Sequence, residues 1–128
     1  DAVLKTKKFI TSSHFLMLFP DDLILKKNCS KFMIALHKKY NSSVMASIKV
    51  KKKDVSRWGI YSIEKKINKQ NFIIKDVIEK PEITKAPSSN AVIGRYILPK
   101  EIFAKLEKQK KGYRWRNSYY RLNKKADK

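Results

Sequence analysis

The sequence predicts an α/β protein, and three stretches indicate this class. Residues 15–19 form an apolar run without alternation, which is typical of a strand buried on both faces. Apolar side chains then recur at helical spacing over residues 32–40, and residues 44–50 have the composition of a further strand. A strand, a helix and a strand in this order predict a βαβ unit with a parallel strand pair and a right-handed crossover.

Helices are predicted on both sides of the first strand. Residues 2–9 carry apolar side chains among lysines and indicate the end of an amphipathic helix. The next helix is expected to begin after Asn28 or Ser30, either of which can cap it, and to end before residues 41–43. We expect His37 to lie off its inward face. That face consists of four side chains at helical spacing: Phe32, Met33, Leu36 and Tyr40.

A hairpin is predicted in the middle of the chain. The polar residues 51–57 connect to it and are expected to contain one helical turn. Two apolar stretches, 58–61 and 72–74, then flank a charged, Lys- and Asn-rich turn at 64–71. Pro81 follows the second stretch. The strand is expected to end before it, because proline cannot lie in the interior of a strand.

The last predicted elements are a strand and a short helix. Residues 82–89 form a loop, and residues 91–98 form a strand that contains Gly94, where we expect another backbone or a ligand to come close. Pro99 is expected to open a helix over residues 100–108. Its inward side chains are Ile102, Phe103 and Leu106.

The composition indicates one folded domain with an unusual charge. The chain has 128 residues, of which 42% are hydrophobic and 11% aromatic, and these values exclude general disorder. Its net charge of +20 suggests that a polyanion such as nucleic acid could be its partner. The lysines are spread along the whole length, however, as A/T-rich codons would produce. A small basic nucleic-acid-binding protein, with the aromatic and basic residues 113–116, therefore stays as the less favoured alternative.

Cysteine content and hydropathy predict a cytoplasmic protein. The single Cys29 permits no internal disulfide and has no metal-site spacing with His14 or His37. No apolar run reaches the roughly 20 residues needed to cross a bilayer. The chain starts at Asp1 rather than at a methionine, and we expect that its start was processed or cut from something longer.

Two adjacent carboxylates, Asp21 and Asp22, follow the first strand and Pro20. Ligands of open α/β sheets bind beyond the carboxyl ends of the strands, so this pair is placed to hold Mg²⁺ and a phosphorylated substrate. The alternative is a plain turn, because Pro and Asp are common turn residues.

Three further residues match the needs of a sugar phosphate. Such a ligand requires acceptors for its hydroxyls, a cation for its phosphate and a close backbone. Glu79 supplies acceptors, Lys80 supplies the cation, and Gly59 supplies a backbone N–H. The alternative is structural, because Glu-Lys is usually a solvated pair and glycine is usually a turn residue.

Five motifs occur in a fixed order along the chain. They are Phe-Pro-Asp-Asp-Leu-Ile at 19–24, Lys-Tyr-Asn-Ser-Ser-Val at 39–44, Asp-Val-Ser-Arg-Trp-Gly-Ile at 54–60, Val-Ile-Glu-Lys-Pro at 77–81, and Ala-Pro-Ser at 86–88 with Ala-Val-Ile-Gly-Arg-Tyr-Ile-Leu at 91–98. In this order they resemble the central part of the bacterial UTP:glucose-1-phosphate uridylyltransferases, a branch of the sugar nucleotidyltransferases. The resemblance runs from residue 1 to about residue 107.

The resemblance implies a fold and a reaction. The fold is a Rossmann-like, GT-A-like nucleotidyltransferase domain with a mixed, mostly parallel sheet, here truncated at both ends. In the reaction, glucose 1-phosphate attacks the α-phosphate of UTP and gives UDP-glucose and pyrophosphate, with Mg²⁺ stabilising the charge. The resemblance also allows a homo-oligomer.

The resemblance assigns roles to five residues. Asp21 matches the metal-binding aspartate, and Asp22 matches the acidic neighbour that faces the substrate. Gly59 matches the glycine that contacts the sugar. Glu79 matches the residue that receives the sugar hydroxyls. Lys80 matches the residue on the sugar phosphate, so that Asp21 and Lys80 are the expected catalytic residues.

The sequence also departs from the family pattern. Trp58 stands where the family has Tyr or Phe, and the expected substrate-binding amide, Asn90, is displaced by one position, which in a strand reverses the side chain. The family's Gly-rich loop for the nucleotide triphosphate and its second metal-binding aspartate do not occur in this sequence. We therefore expect the isolated chain to be inactive.

Residues 112–128 are predicted to be an out-of-frame tail, which divides the chain into a nucleotidyltransferase part at 1–111 and this tail. Back-translation of residues 112–123 with A/T-rich codons, shifted by one base, gives Gly-Ile-Asp-Gly-Glu-Ile-His-Ile-Thr-Asp-Leu-Ile. This resembles the family's next motif, Gly-x-x-Gly-Glu-Ile-Gln-Leu-Thr-Asp. The second glycine is forced, because Trp115 has a single codon. We expect the tail to have no selected fold.

Overall fold

A computed structural model describes residues 2–22, 24 and 28–108, and its mixture of helices and strands confirms the α/β class. The helices are α1 (Ala2–Lys5), α2 (Cys29–Tyr40) and α3 (Ile102–Glu107). The strands are β1 (His14–Leu18), β2 (Val44–Lys49), β3 (Gly59–Lys66), β4 (Phe72–Glu79) and β5 (Asn90–Pro99). Short 3₁₀ helices occupy Lys7–Phe9, Lys52–Arg57 and Ile83–Lys85.

The described residues divide into two compact units. The first unit contains the residues up to 46 together with 94–108, and the second contains 47–93. Strand β5 contributes its last residues to the first unit and its first residues to the second. The predicted tail at 112–128 lies outside the described residues. In the part of the chain that the structure describes, the helices are too short or too polar to cross a membrane.

In the first unit, β1 pairs antiparallel with the second half of β5. The register places Phe15 opposite Leu98 and Leu18 opposite Arg95. The pairing continues past the end of β1, because the Phe19 N–H donates to the Gly94 carbonyl at 2.7 Å. The turn that follows β1 is therefore attached to β5.

The helix α2 begins and ends as the sequence predicts. Asn28 caps it by accepting a hydrogen bond from the Lys31 N–H at 2.9 Å, and Asn41 ends it in the left-handed region with φ 46°. Its inward stripe, however, is centred on Met33, the one buried residue of the helix. Leu36 and His37 follow at the i+3 and i+4 positions and are half-buried.

This stripe corrects two predictions for α2. Phe32 and Tyr40 were expected to face inward, yet their side chains are 48% and 42% exposed. His37 was expected off the inward face, yet it lies on it. Consecutive helical residues are about 100° apart, which turns Phe32 outward once Met33 points directly at the core. Tyr40 lies on the same side of the helix as Met33, but it is the last residue of α2 and stays exposed.

The core of the first unit lies between β5 and α3. Ile102, Phe103 and Leu106 of α3 are buried, as predicted. Phe103 stacks on Phe15 with ring centroids 5.1 Å apart. At the surface, Lys7 and Glu107 form an ion pair of 2.7 Å.

The second unit contains the predicted hairpin of β3 and β4. The two strands pair antiparallel from Gly59 opposite Glu79 to Lys66 opposite Phe72. The Asn68 side chain closes the turn, because its Oδ1 accepts hydrogen bonds from the N–H groups of Gln70 at 2.9 Å and Asn71 at 2.8 Å. A small core of Val55, Ile60 and Ala91 packs against Val50, Trp58 and Ala86.

The direction of the strands differs from the prediction of a mostly parallel sheet. The pairs β1–β5, β3–β4 and β3–β5 are antiparallel, the last of them through Ile60 and Ala91. The short turn of the hairpin allows no other arrangement for β3 and β4. The strand β1 was also expected to pair with β2, whereas both of them pair with β5. The mixed α/β class is thus confirmed, and the parallel β1–β2 pair is wrong.

Candidate functional site

The residues after β1 form a β-turn. The Asp22 N–H donates to the Phe19 carbonyl at 3.3 Å, which places Pro20 and Asp21 at the two central positions. Proline suits the first of these positions because its φ is fixed near the required value. Pro-Asp-Asp therefore forms a turn, and the metal-binding role of its carboxylates stays a prediction.

Asp22 is bound to β5 through both its side chain and its backbone. Its carboxylate Oδ2 accepts a hydrogen bond from the Gly94 N–H, and its carbonyl accepts one from Arg95 Nη2 at 2.8 Å. Hydrogen bonds that involve an ionised group are about twice as strong as neutral ones. Asp22 thus holds the turn on β5, a structural role that the sequence did not predict.

Gly94 allows the turn to approach this closely. A Cβ atom at residue 94 would lie 2.6 Å from both the Asp22 Oδ2 and the Phe19 Cγ, well inside van der Waals contact. The prediction that a backbone would come close to this glycine is confirmed, because the Phe19 backbone pairs with it. Any side chain at residue 94 would separate the turn from β5.

Arg95 is a site residue that the sequence motifs did not single out. Its Nη2 binds the Asp22 carbonyl, while its buried Nε has no hydrogen-bond partner among the described residues. The only signal for it in the sequence was its place beside Gly94. Two consecutive residues of β5 therefore position the turn.

Asp21 presents a free carboxylate at the tip of the turn. The residue is exposed, and within the described ranges its side chain makes no hydrogen bond or ion pair. These ranges also contain no cluster of three His, Cys, Asp or Glu side chains. Mg²⁺ is commonly held by one or two carboxylates together with substrate phosphates and water. An exposed carboxylate on a turn that is hydrogen-bonded to β5 fits that kind of site.

Gly59 and Glu79 lie directly opposite each other in the hairpin. They are register partners at the start of β3 and the end of β4. A Cβ atom at residue 59 would lie 3.0 Å from the Glu79 Oε2, and this oxygen is buried. The structure therefore brings two predicted sugar-binding residues together, with the carboxylate over the glycine.

Lys80 follows Glu79 in a strained backbone conformation. Its φ is 48°, in the left-handed region that non-glycine residues rarely adopt, and its N–H donates to the Trp58 carbonyl at 2.9 Å. Its side chain is exposed. Lys80 ends β4 at Glu79, just before the buried Pro81. The strand therefore stops before the proline, as predicted.

Asn90 begins β5 and is fixed by its backbone. Its N–H donates to the Ser88 Oγ at 3.1 Å, and the same hydroxyl donates to the Tyr61 carbonyl at 2.6 Å. Asn90 is half-buried. The hydrogen bonds of Ser88 define where β5 starts, and the binding role of the Asn90 side chain stays a prediction.

Comparisons with known proteins identify relatives along most of the chain. The family model described as nucleotidyl transferase matches residues 1–126. The chain is 37% identical over 117 residues to UTP–glucose-1-phosphate uridylyltransferase 1 of Streptococcus pyogenes, covering 88% of this chain and 38% of that protein.

Solved structures give the same relationship. The structure of a UDP-glucose pyrophosphorylase complexed with UDP-glucose has a TM-score of 0.77 and 36% identity, over 87% of this chain and 43% of that chain. The UTP-bound enzyme from Acinetobacter baumannii has a TM-score of 0.86 and 25% identity, over 97% of this chain and 45% of that chain.

The match has a defined extent. The chain spans about two fifths of the length of the curated relatives it matches. The family model and the curated relatives together show that the chain belongs to the nucleotidyl transferase family.

Proposed function

We propose that this chain carries the sugar-phosphate part of a UTP:glucose-1-phosphate uridylyltransferase. The observation that carries the proposal is the Glu79 carboxylate placed over Gly59 at one end of the hairpin. The names of the relatives support the same reaction, since they are uridylyltransferases and UDP-glucose pyrophosphorylases.

In this proposal Glu79 and Gly59 bind the sugar. A carboxylate accepts hydrogen bonds from sugar hydroxyls, and such charge-assisted bonds are stronger than neutral ones. A residue without a side chain opposite the carboxylate leaves the backbone open to the sugar ring. The half-buried Asn90, in the same unit, would supply a further amide for the sugar.

Lys80 and Asp21 act on the phosphates in this proposal. The exposed Lys80 ammonium neutralises the phosphate of glucose 1-phosphate, one oxygen of which attacks UTP. Asp21 would hold Mg²⁺, which supplies electrostatic stabilisation of the phosphate charge when bound. Asp22 keeps the turn in place and would direct its second carboxylate oxygen toward the substrate. We also propose a cytoplasmic location, on the basis of the lone Cys29.

The replacement Glu79→Gln should weaken the binding of glucose 1-phosphate about 10- to 100-fold, since a hydrogen bond to a charged group contributes about 1.5–3 kcal/mol. The measurement is isothermal titration calorimetry of the 128-residue chain with glucose 1-phosphate. The matched control is Glu82→Gln in the same unit, where an exposed glutamate pairs with Lys85 at 2.9 Å. This control removes the same charge and should leave the affinity unchanged.

Two outcomes of this titration would contradict the proposed function. One is the absence of glucose 1-phosphate binding to a chain that is folded by circular dichroism. The other is an equal loss of affinity in both variants, which would mean that binding depends on overall charge alone.

We further propose that residues 112–128 result from a lost base. The gene sequence from the codon of Gly112 onward should read, one base later, as the family motif that ends in Thr-Asp, and should continue into a downstream Asp-x-Gly segment. Sequencing that DNA is the measurement. An early stop codon in the shifted frame, or the absence of that segment, would contradict the proposal.

A further inference from the structure

The only two histidines of the chain lie against each other in the first unit. His14 is the first residue of β1, and His37 lies in the last turn of α2. Their ring centroids are 4.5 Å apart, and the ring planes are inclined by 47°. Both side chains are half-buried, and neither belongs to the proposed sugar-phosphate site.

The Nδ1 atom of each ring is already engaged by the protein. His37 Nδ1 lies 2.7 Å from the Ser42 carbonyl, which can only accept, so this nitrogen carries a hydrogen and the lone pair of the neutral ring lies on Nε2. His14 Nδ1 lies 3.2 Å from the Ser13 hydroxyl. Metal-binding histidines commonly have their second ring nitrogen held by such a hydrogen bond. The Ser42 carbonyl fixes the tautomer of His37, whereas the Ser13 hydroxyl can accept from His14 Nδ1 or donate to it, and it accepts when His14 Nε2 binds a metal ion.

The separation of the rings suits a shared metal ion. A transition metal ion binds imidazole nitrogen at about 2.0–2.1 Å, so two neighbouring ligands place their ring centroids about 5 Å apart. We propose that His14 and His37 bind one divalent transition metal ion, such as Zn²⁺, through their Nε2 atoms. Water completes the coordination.

Among residues 2–22, 24 and 28–108, no group of three His, Cys, Asp or Glu side chains is placed to hold one metal ion, so the proposed site has two protein ligands. Cys29 begins α2, eight residues before His37, which at about 1.5 Å per residue is about 12 Å along the helix. Cys29 is therefore too far away to bind the same ion. Lys38 and Lys39 follow His37 directly and oppose a cation, so we expect affinity in the micromolar range.

The test is a Zn²⁺ titration of the whole chain. Binding is measured by calorimetry and, in parallel, by the NMR signals of the imidazole Hε1 protons. We expect both histidine signals to shift together and to stop changing at one equivalent. His14→Ala and His37→Ala should each weaken Zn²⁺ binding at least tenfold, whereas Cys29→Ser should leave it unchanged.

The proposal is overturned if either histidine signal of the unaltered chain stays constant up to several equivalents of Zn²⁺. It is also overturned if Cys29→Ser abolishes the binding while the histidine variants retain it. The NMR measurement requires no substitution, so a histidine variant that fails to fold does not remove the test.

Discussion

Gly94→Ala should destabilise the chain by about 4 kcal/mol, because one added methyl group would have to fit between β5 and the turn that follows β1. The Cβ would lie 2.6 Å from the Phe19 Cγ and from the Asp22 Oδ2. Neither neighbour can move away cheaply. The Phe19 backbone is hydrogen-bonded to residue 94, and the Asp22 carboxylate accepts its N–H.

Urea denaturation of the purified variant measures this loss. The matched comparison is Gly59→Ala, whose Cβ would meet the end of the flexible Glu79 side chain at 3.0 Å. We expect about 1 kcal/mol for that variant, since the glutamate can shift. A Gly94→Ala variant no less stable than Gly59→Ala would show that the turn is not packed on β5 as described.

Asp22→Ala should cost about 2–3 kcal/mol of stability, whereas Asp21→Ala should change it by no more than about 0.5 kcal/mol. Removal of the Asp22 carboxylate leaves the buried Gly94 N–H without its acceptor. The exposed Asp21 carboxylate has no such role in the fold. Thermal unfolding of the two single variants side by side checks the difference. Equal losses would contradict the division of roles between the two aspartates.

The local elements were predictable because their signals are local. The apolar run of β1, the cap at Asn28, the charged hairpin turn and the inward residues of α3 all depend on neighbours within a few positions. Gly94 was also recognisable, since a glycine inside an apolar strand indicates a close approach. These features place most helices and strands without any knowledge of their partners.

The long-range contacts were not predictable from the same signals. Asp22 and Gly94 are 72 positions apart, and no local pattern couples an aspartate on a turn to that glycine. The partner of β1 is β5 at the other end of the chain, so the sequence order of strand, helix and strand suggested the wrong neighbour. The orientation of α2 depends in the same way on what it packs against.

The pairing of Gly59 with Glu79 is intermediate between the predictable local elements and the unpredictable long-range contacts. The two residues were selected separately, from motifs on different strands. Their register follows from the hairpin turn, although irregularities occur after Ser62 and after Ile63. These two shifts offset each other, so the register at Gly59 is the one that the turn sets. A hairpin with a single bulge would have moved Glu79 away from the glycine.

The most direct test of the sugar-phosphate site is an amide-resolved NMR titration of the whole chain with glucose 1-phosphate. We expect the largest shifts at Gly59, Glu79 and Lys80, with saturable behaviour, and no comparable shifts from an equal concentration of glucose or of inorganic phosphate alone. The exposed Glu82 and Lys85 of the same unit serve as internal references and should stay nearly constant. Shifts confined to scattered lysines, or equal shifts with inorganic phosphate, would contradict a sugar-phosphate site at the end of this hairpin.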